Sequence, residues 1–272
     1  MEAGDVELIE AMRHGDEAAL ARLLERHAPG VYRFGLKMCR DPEDAEDVVQ
    51  DTLLAAARGL KDFRGASSVS TWLYAIARSF CIKKRRHAHD AAVSLDAPEA
   101  LAVSSNAPAP EQETANRELG AALEDAIATL EPMYREVLLL RDVEGLSAAQ
   151  VAEILEIGVD AVKSRLHRAR AAVRAKLEPF FPGEERAASS QTAQCPDIVT
   201  LFSRFLEGEI GADECAQMDA HVKGCTRCAS GCASLKHTLA LCRAEPRGAV
   251  PPVVQARVQR ALRDLVTAQT PG

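Results

Sequence analysis

His221-x3-Cys225-x2-Cys228 puts three metal-ligating side chains within eight residues. A Cys-x2-Cys pair chelates one ion from a tight turn, and a histidine one helical turn upstream can swing onto the same side. A closed tetrahedral site needs a fourth ligand, as zinc prefers. Cys195 is the best-placed candidate, because it opens a helical stretch able to pack beside the one carrying His221. Cys215 and Cys232 compete for that role, and a cluster of buried, metal-free thiols is the alternative. Six of the eight cysteines follow residue 194 in a chain without an export signal, which points to metal or thiol chemistry and not to a disulfide framework. Cys215, Cys232 and Cys242 exceed what one site requires. With His237, five residues from each of the last two, they suggest a second site for a soft ion such as copper, cadmium or zinc.

A second chemistry lies upstream, in GLSAAQVAEILEIGVDAVKSRLHRARAAVRAKL. Ser147 is a good N-cap for a short helix with Val151 and Ile154 inward. Leu155 to Gly158 forms a turn, with Gly158 free to take unusual backbone angles. A second helix begins near Asp160 with Val162, Leu166, Ala169 and Val173 as its apolar stripe. This is helix-turn-helix geometry, in which the second helix enters the major groove of DNA. Lys163, Ser164 and His167 are candidates for base contact, while Arg165, Arg168, Arg170 and Arg174 suit phosphates. The competing reading is a solvated basic face.

In FRGASSVSTWLYAIARSFCIKKRR, a loop of small polar residues can fold round an extruded base, with Arg64 adding positive charge. Trp72 either stacks on a base or belongs to the core stripe with Ile76 and Phe80. Lys83, Lys84, Arg85 and Arg86 read as phosphate contacts. Asp44, Asp47 and Asp51 share one side of a helix opened by Pro42 and would repel DNA; their complement is a basic protein surface, or solvent alone.

These elements sit in a chain of 272 residues, long enough for two or three small domains. Its composition, 47% hydrophobic but only 4% aromatic, favours helices built on Leu, Val, Ile and Ala. The fold class is therefore all-α and multidomain. The net charge of -7 conceals segregation: residues 1–50 hold twelve acids against six bases, whereas 158–176 hold six bases against Asp160 alone. DNA responds to such local patches and not to the mean. The acidic start MEAGDVELIEAM lacks an apolar core and no run approaches bilayer length, so a cytoplasmic protein without membrane contact is expected. No carboxylate joins a His/Cys pair and no glycine-rich phosphate loop occurs, so the chain is not expected to be an enzyme.

The order DPEDAEDVVQDTLL, FRGASSVSTWLYAIAR, then LEPMYREVLLLRDVEGLSAAQVAEIL and VKSRLHRAR resembles the extracytoplasmic-function sigma factors of the sigma-70 family over about residues 8–176. The resemblance implies region 2 over 5–88, a flexible linker over 89–113 and region 4 over 114–178. Region 2 would dock on core RNA polymerase through the helix at 43–57 and open the -10 element. Region 4 would read the -35 element of promoter DNA. The chain departs from the family's pattern at Glu156, where Gly is frequent, and at Asp160–Ala161, where Gly-Thr is frequent.

CPDIVTLFSRFLEGEIGADECAQMDAHVKGCTRC resembles the zinc-binding anti-sigma domain, which implies Cys195, His221, Cys225 and Cys228 as the zinc ligands of a domain over 195–245. An amphipathic helix over 250–267, with Val254, Val258, Leu262 and Leu265, ends the chain. Covalent attachment implies intramolecular contact with the sigma domains and control in cis by metal binding, as in metal-responsive sigma factors. Both directions of control stay open here, since a ligand shifts the balance only by its preference between states. A redox-sensing sigma factor and a helix-turn-helix regulator of another class are the alternatives.

Overall fold

The computed structural model describes residues 3–14, 16–59, 63, 65, 67–92, 111–181, 195–244 and 250–269. Every element among them is helical. In chain order they are α1 (Ala3–Arg13), α2 (Glu17–Cys39), α3 (Pro42–Gly59), α4 (Val69–Ala92), α5 (Glu111–Ala128), α6 (Pro132–Leu138), α7 (Ala148–Leu155), α8 (Val159–Leu177), α9 (Ile198–Leu206), α10 (Ala212–Gly224), α11 (Thr226–Ala244) and α12 (Pro252–Gln269). A π-helical turn, Leu139–Val143, extends α6. Most of the predicted linker, and the Pro/Ser-rich stretch 182–194, lie outside the described residues.

The chain divides into two units. The first comprises α1–α4 and α12; the second comprises α5, α6, α7 as far as Ala152, and α8–α11.

In the first unit, Asp16 caps α2 by accepting from the Ala18 and Ala19 N–H groups at 2.9 and 3.2 Å. Arg40 ends that helix in the left-handed region at φ 64°, its N–H donating to the Leu36 carbonyl. Leu23, Leu24, Val31 and Phe34 of α2, Ala45, Val48 and Leu53 of α3, and Leu73 and Ala77 of α4 are all buried. At Gly35 a Cβ would lie 3.5 Å from the Ala45 backbone, so the missing side chain lets α2 and α3 approach closely. Asp5 is buried and anchors α1 through Arg26 and His27, each at 3.0 Å.

In the second unit, Arg135 is buried and donates to the Ile127 and Leu130 carbonyls at 3.2 and 2.8 Å. It thereby satisfies the end of α5, where carbonyls lack helical partners. Ser147 and Gln150 form a reciprocal capping pair at the start of α7, at 2.9 and 3.2 Å. The strained residue in the following turn is Glu156, at φ 56°, whereas Gly158 is extended at φ -67°. The left-handed region costs a non-glycine residue roughly 1–2 kcal/mol, so this departure from the family's glycine is a local strain. Val162, Leu166, Ala169 and Val173 are all fully buried along α8. Ile198 and Phe202 of α9 pack with Cys228, Cys232, Leu235 and Leu239 of α11.

Candidate metal centre and nucleic-acid interface

Cys195 lies three residues before α9, His221 in the last turn of α10, Cys225 between α10 and α11, and Cys228 in the first turn of α11. Their ligand atoms all lie within 4.8 Å of one another. Cys195 Sγ is 3.8 Å from Cys225 Sγ, and His221 Nε2 is 3.2 Å from Cys228 Sγ. Tetrahedral zinc, with sulfur at about 2.3 Å, sets its ligand atoms roughly 3.5–3.8 Å apart; the four side chains fit such an ion. The backbone N–H of Cys228 points at the Cys225 sulfur and, against burial, holds that thiol below its ordinary pKa. Cys228 is pushed up to about 12 by burial and by the sulfurs of Cys225 and Cys195. Three sulfurs this close become thiolates together only with a cation among them.

The proposed second site does not assemble. Among the described residues the tetrad is the one group of this kind. Cys232, His237 and Cys242 share α11, and ten helical residues rise about 15 Å, too far to converge on one ion. Cys232 and Cys242 are buried, and burial raises the Cys232 pKa. His237 is exposed beside the Phe181 ring, 5.5 Å away, and Cys215 sits half-buried on α10 outside the tetrad.

Along α8, Lys163, His167, Arg170 and Arg174 recur at spacings of four, three and four, which forms one stripe. The helices of the metal-binding segment lie over it. Lys163 Nζ is 3.4 Å from one Glu209 carboxylate oxygen, and His167 Nε2 is 3.2 Å from the other. The His167 contact is not aligned as a hydrogen bond, leaving that buried nitrogen without one. Burial, aided by Arg170 and Arg204, lowers the His167 pKa against the opposing pull of Glu209 and Glu207.

Arg170 is 1% exposed. Its Nε and Nη2 donate to the two Asp142 oxygens at 2.8 and 2.6 Å, a fork on a carboxylate. Nη2 also reaches Glu207 at 2.9 Å, and Nη1 reaches Ser203 Oγ at 2.9 Å. Arg141 donates to the other Glu207 oxygen at 3.1 Å. Burial alone would lower the Arg170 pKa, but Asp142 and Glu207 outweigh it and hold it above the ordinary value. Further along, Arg174 Nε donates to Ser234 Oγ at 3.0 Å. Both glutamates flank Gly208, at φ 69°, in the turn that closes α9. Gly208 N–H donates to Phe205 and Glu209 N–H to Arg204, both at 3.0 Å, a pairing that needs a left-handed residue at its centre.

This corrects the expectation for Arg170, which in this state is buried among Asp142, Glu207 and Ser203 and not presented to a phosphate. Lys163 and His167 face Glu209 in this state. Ser164 and Arg168 are exposed, with Arg168 Nη1 donating to the Tyr134 hydroxyl at 3.3 Å, and Arg165 is half-buried.

In the first unit, Lys84 Nζ lies 3.0 Å from Asp44 and 2.6 Å from Asp47. The Asp47 hydrogen bond raises its pKa despite burial. Lys84, expected as a phosphate contact, bridges two acids in this structure. Asp51, Lys83 and Arg86 are exposed, Arg85 is half-buried, and Lys83 Nζ sits 5.1 Å from the Phe80 ring centroid. Trp72 is half-buried with its ring 5.2 Å from that of Phe63. Arg64 lies outside the described residues.

The C-terminal helix α12 packs on α3 and α2 with Val254 and Val258 buried, and Val258 lines a cavity with Ala28, Val49 and Leu53. Gln259 donates to Glu25 at 3.0 Å, and Arg257 lies 3.8 Å from Glu46. Glu46, Val49 and Leu53 are each two residues on from Asp44, Asp47 and Asp51, about 200° around α3. The two faces are therefore nearly opposite.

Residues 23–90 match sigma-70 region 2, residues 120–173 match sigma-70 region 4, and residues 195–229 match a putative zinc-finger family. The chain is 30% identical over 184 residues to the RNA polymerase sigma-H factor of Pseudomonas aeruginosa, covering 65% of this chain and 95% of that protein. It is 32% identical to the ECF RNA polymerase sigma factor SigW of Bacillus subtilis, covering 62% and 94%. It is 37% identical to the ECF RNA polymerase sigma factor SigL of Mycobacterium tuberculosis, covering 60% and 91%. This chain belongs to the extracytoplasmic-function sigma factors.

As a member of that family, the sigma factor is a specificity subunit of RNA polymerase and not itself an enzyme. The resemblance read from its two motif sets is borne out, and so is the all-α fold. No helix among the described residues is long and apolar enough to cross a membrane. The residues that sequence reasoning missed are Asp142, Ser203, Glu207 and Glu209. The acids of LEGEIG read as an ordinary turn, and nothing local ties them to a helix some 40 residues upstream.

Proposed function

We propose that this sigma factor initiates transcription with core RNA polymerase while carrying its own inhibitor. Its metal-binding domain covers the α8 stripe that reads the -35 element. The observation that carries this reading is Glu209, whose two carboxylate oxygens face Lys163 and His167, side chains assigned to base contact. A carboxylate there supplies the negative charge that DNA would otherwise bring. Glu207 anchors the same turn through Arg170 and Arg141. Because the cover is covalently attached, its effective concentration is high and needs no partner protein.

The tetrad joins the start of α9 to the junction of α10 and α11. Zinc, when bound there, supplies a structural cross-link between those points. The position of α9 then fixes Ser203 and the Glu207–Glu209 turn against α8. Metal loading therefore favours the closed form, and loss of metal, or exchange for copper or cadmium that distorts the tetrad, favours opening. In region 2, Asp44, Asp47 and Asp51 address the polymerase, while Trp72, Lys83, Arg85 and Arg86, with Arg64 in the preceding loop, address the -10 strand.

The test is in vitro transcription with core polymerase, comparing zinc-loaded protein, chelator-stripped protein and the C225S/C228S variant. The expected result is more transcript from the last two. Equal output from all three, with zinc content verified, overturns control in cis by the metal.

A further inference from the structure

In the first unit α12 does not fill the space above α2 and α3. A cavity of about 200 Å3 remains there. Its walls are apolar: Ala28 and Pro29 of α2, Val49 and Leu53 of α3, and Val250 and Val258 just before and within α12. All but Pro29 are buried. Its rim is polar, since Glu25, Gln255 and Gln259 also line it and are exposed. We propose that this cavity is a binding site for a small organic ammonium ion, with the hydrocarbon body against the apolar walls and the charged nitrogen at Glu25. The site stands independently of the control by metal described above.

Size sets the body of the ligand. An apolar protein cavity of about 150 Å3 takes up benzene, so the space here admits one ring, or a short branched chain, together with a head group. Water finds hydrogen-bond partners only along the rim.

Charge and hydrogen bonding select the head group. Glu25 is the one charged side chain among the described residues that line the cavity. The cations near it in sequence or on α12 are engaged with other acids: Arg22 with Asp16, Arg26 with Asp5, and Arg257 with Glu46. Glu25 Oε1 accepts from Gln259 Nε2 at 3.0 Å, which holds the carboxylate toward α12. An ionised carboxylate has room for several donors. Pro29 lies inside α2 and has no N–H, so the helical hydrogen bond to the Glu25 carbonyl is missing. Glu25 therefore brings a main-chain acceptor as well as its carboxylate, and the amide oxygens of Gln255 and Gln259 are two more. An ammonium carries three donors and no acceptor, and each finds a partner on this rim. A carboxylate ligand would meet repulsion from Glu25. The occupant touches α2, α3 and α12 together, and a ligand that binds only the docked arrangement stabilises it by mass action. Occupancy thus fastens the C-terminal helix to region 2.

The experiment titrates full-length, zinc-loaded protein with benzylamine, benzyl alcohol and benzoate. It follows binding by chemical-shift changes and by hydrogen exchange of the α12 amides. The expected result is saturable binding of benzylamine, about tenfold or more tighter than benzyl alcohol, as a charge-assisted hydrogen bond implies. Benzoate should not bind, and exchange of the amides of residues 254–259 should slow with the amine alone. E25Q, at an exposed position that should not disturb folding, is expected to erase the preference for the amine while keeping weak binding of the alcohol. A28F fills the cavity and is expected to abolish both. Absence of a saturable shift with benzylamine overturns the proposal. So does equal affinity for amine and alcohol in the wild type, or an E25Q protein that keeps the preference.

Discussion

Two helices carry the stripes on which the proposed function rests, and the C-terminal third of the chain meets each differently. In the second unit it lies over the basic stripe of α8: Glu209 faces Lys163 and His167, and Glu207 holds Arg170. In the first unit α12 packs over Val49 and Leu53 of α3, and Asp51, on the opposite side, is exposed. Lys84, from the sigma region itself, bridges the other two acids of that stripe. The contrast locates the proposed inhibition. The stripe proposed to read the promoter is covered, while the acidic face proposed for polymerase is left to one side of α12.

The strongest way to break the contrast is at Arg170. In R170A, Asp142 and Glu207 lose the cation between them, and removing one member of a buried ion pair costs about 3–5 kcal/mol. Denaturant unfolding should show that loss in full, together with detachment of α9 from α8. If Arg170 served as a phosphate contact instead, R170A would weaken promoter binding with little change in stability.

A smaller effect separates the two faces of α3. Val258 of α12 is buried, and a charge there in V258D forfeits about 2 kcal/mol of apolar burial. The first unit should lose stability by that order, while affinity for core polymerase holds. D51K should do the reverse, lowering core affinity severalfold with stability unchanged. Equal loss of polymerase binding in both variants would show that α12 and the acidic stripe act together.

The smallest effect is one of pH. His167 has its pKa lowered in the closed form, by burial first, and regains its ordinary value of about 6.5 when uncovered. The closed form therefore binds fewer protons than the open one. Its advantage is complete above about pH 6.5 and is lost as pH falls through that value toward the depressed one. Glu209 and Glu207 oppose the shift, while Arg170 and Arg204 reinforce it. Binding of a -35 duplex should gain on acidification beyond the general trend, and H167Q should remove that excess. An unchanged pH profile in H167Q contradicts the buried state of this imidazole.

Much of the architecture was legible because its signals are local. The α8 apolar stripe, the α3 start at Pro42 and the Ser147 cap follow from spacing and capping chemistry. His221, Cys225 and Cys228 fall within eight residues, so a chelate could be read directly; Cys195 was the best-placed fourth ligand, and the anti-sigma resemblance favoured it over Cys215 and Cys232. Arg170 was misread, although its register held the clue: it lies four residues after Leu166 and three before Val173, within the buried face. The cation outweighed the position because its carboxylate partners, Asp142 and Glu207, are distant in sequence. Gly158 looked like the hinge of the turn, but the positive φ fell on Glu156. Lys84 was counted among the DNA contacts for the same reason as Arg170, since the acids it bridges lie 37 and 40 residues upstream.

The central claim is that the Glu207–Glu209 turn shields the promoter-reading stripe. Fluorescence anisotropy of a -35 duplex, titrated with zinc-loaded holoenzyme, tests it through the E207Q/E209Q double variant, which keeps shape and removes charge. Release of a cover worth about 1.4 kcal/mol corresponds to tenfold tighter binding, and the account predicts a gain of at least that size over wild type. Unchanged or weaker binding, in a variant whose tetrad still holds its metal, would contradict it.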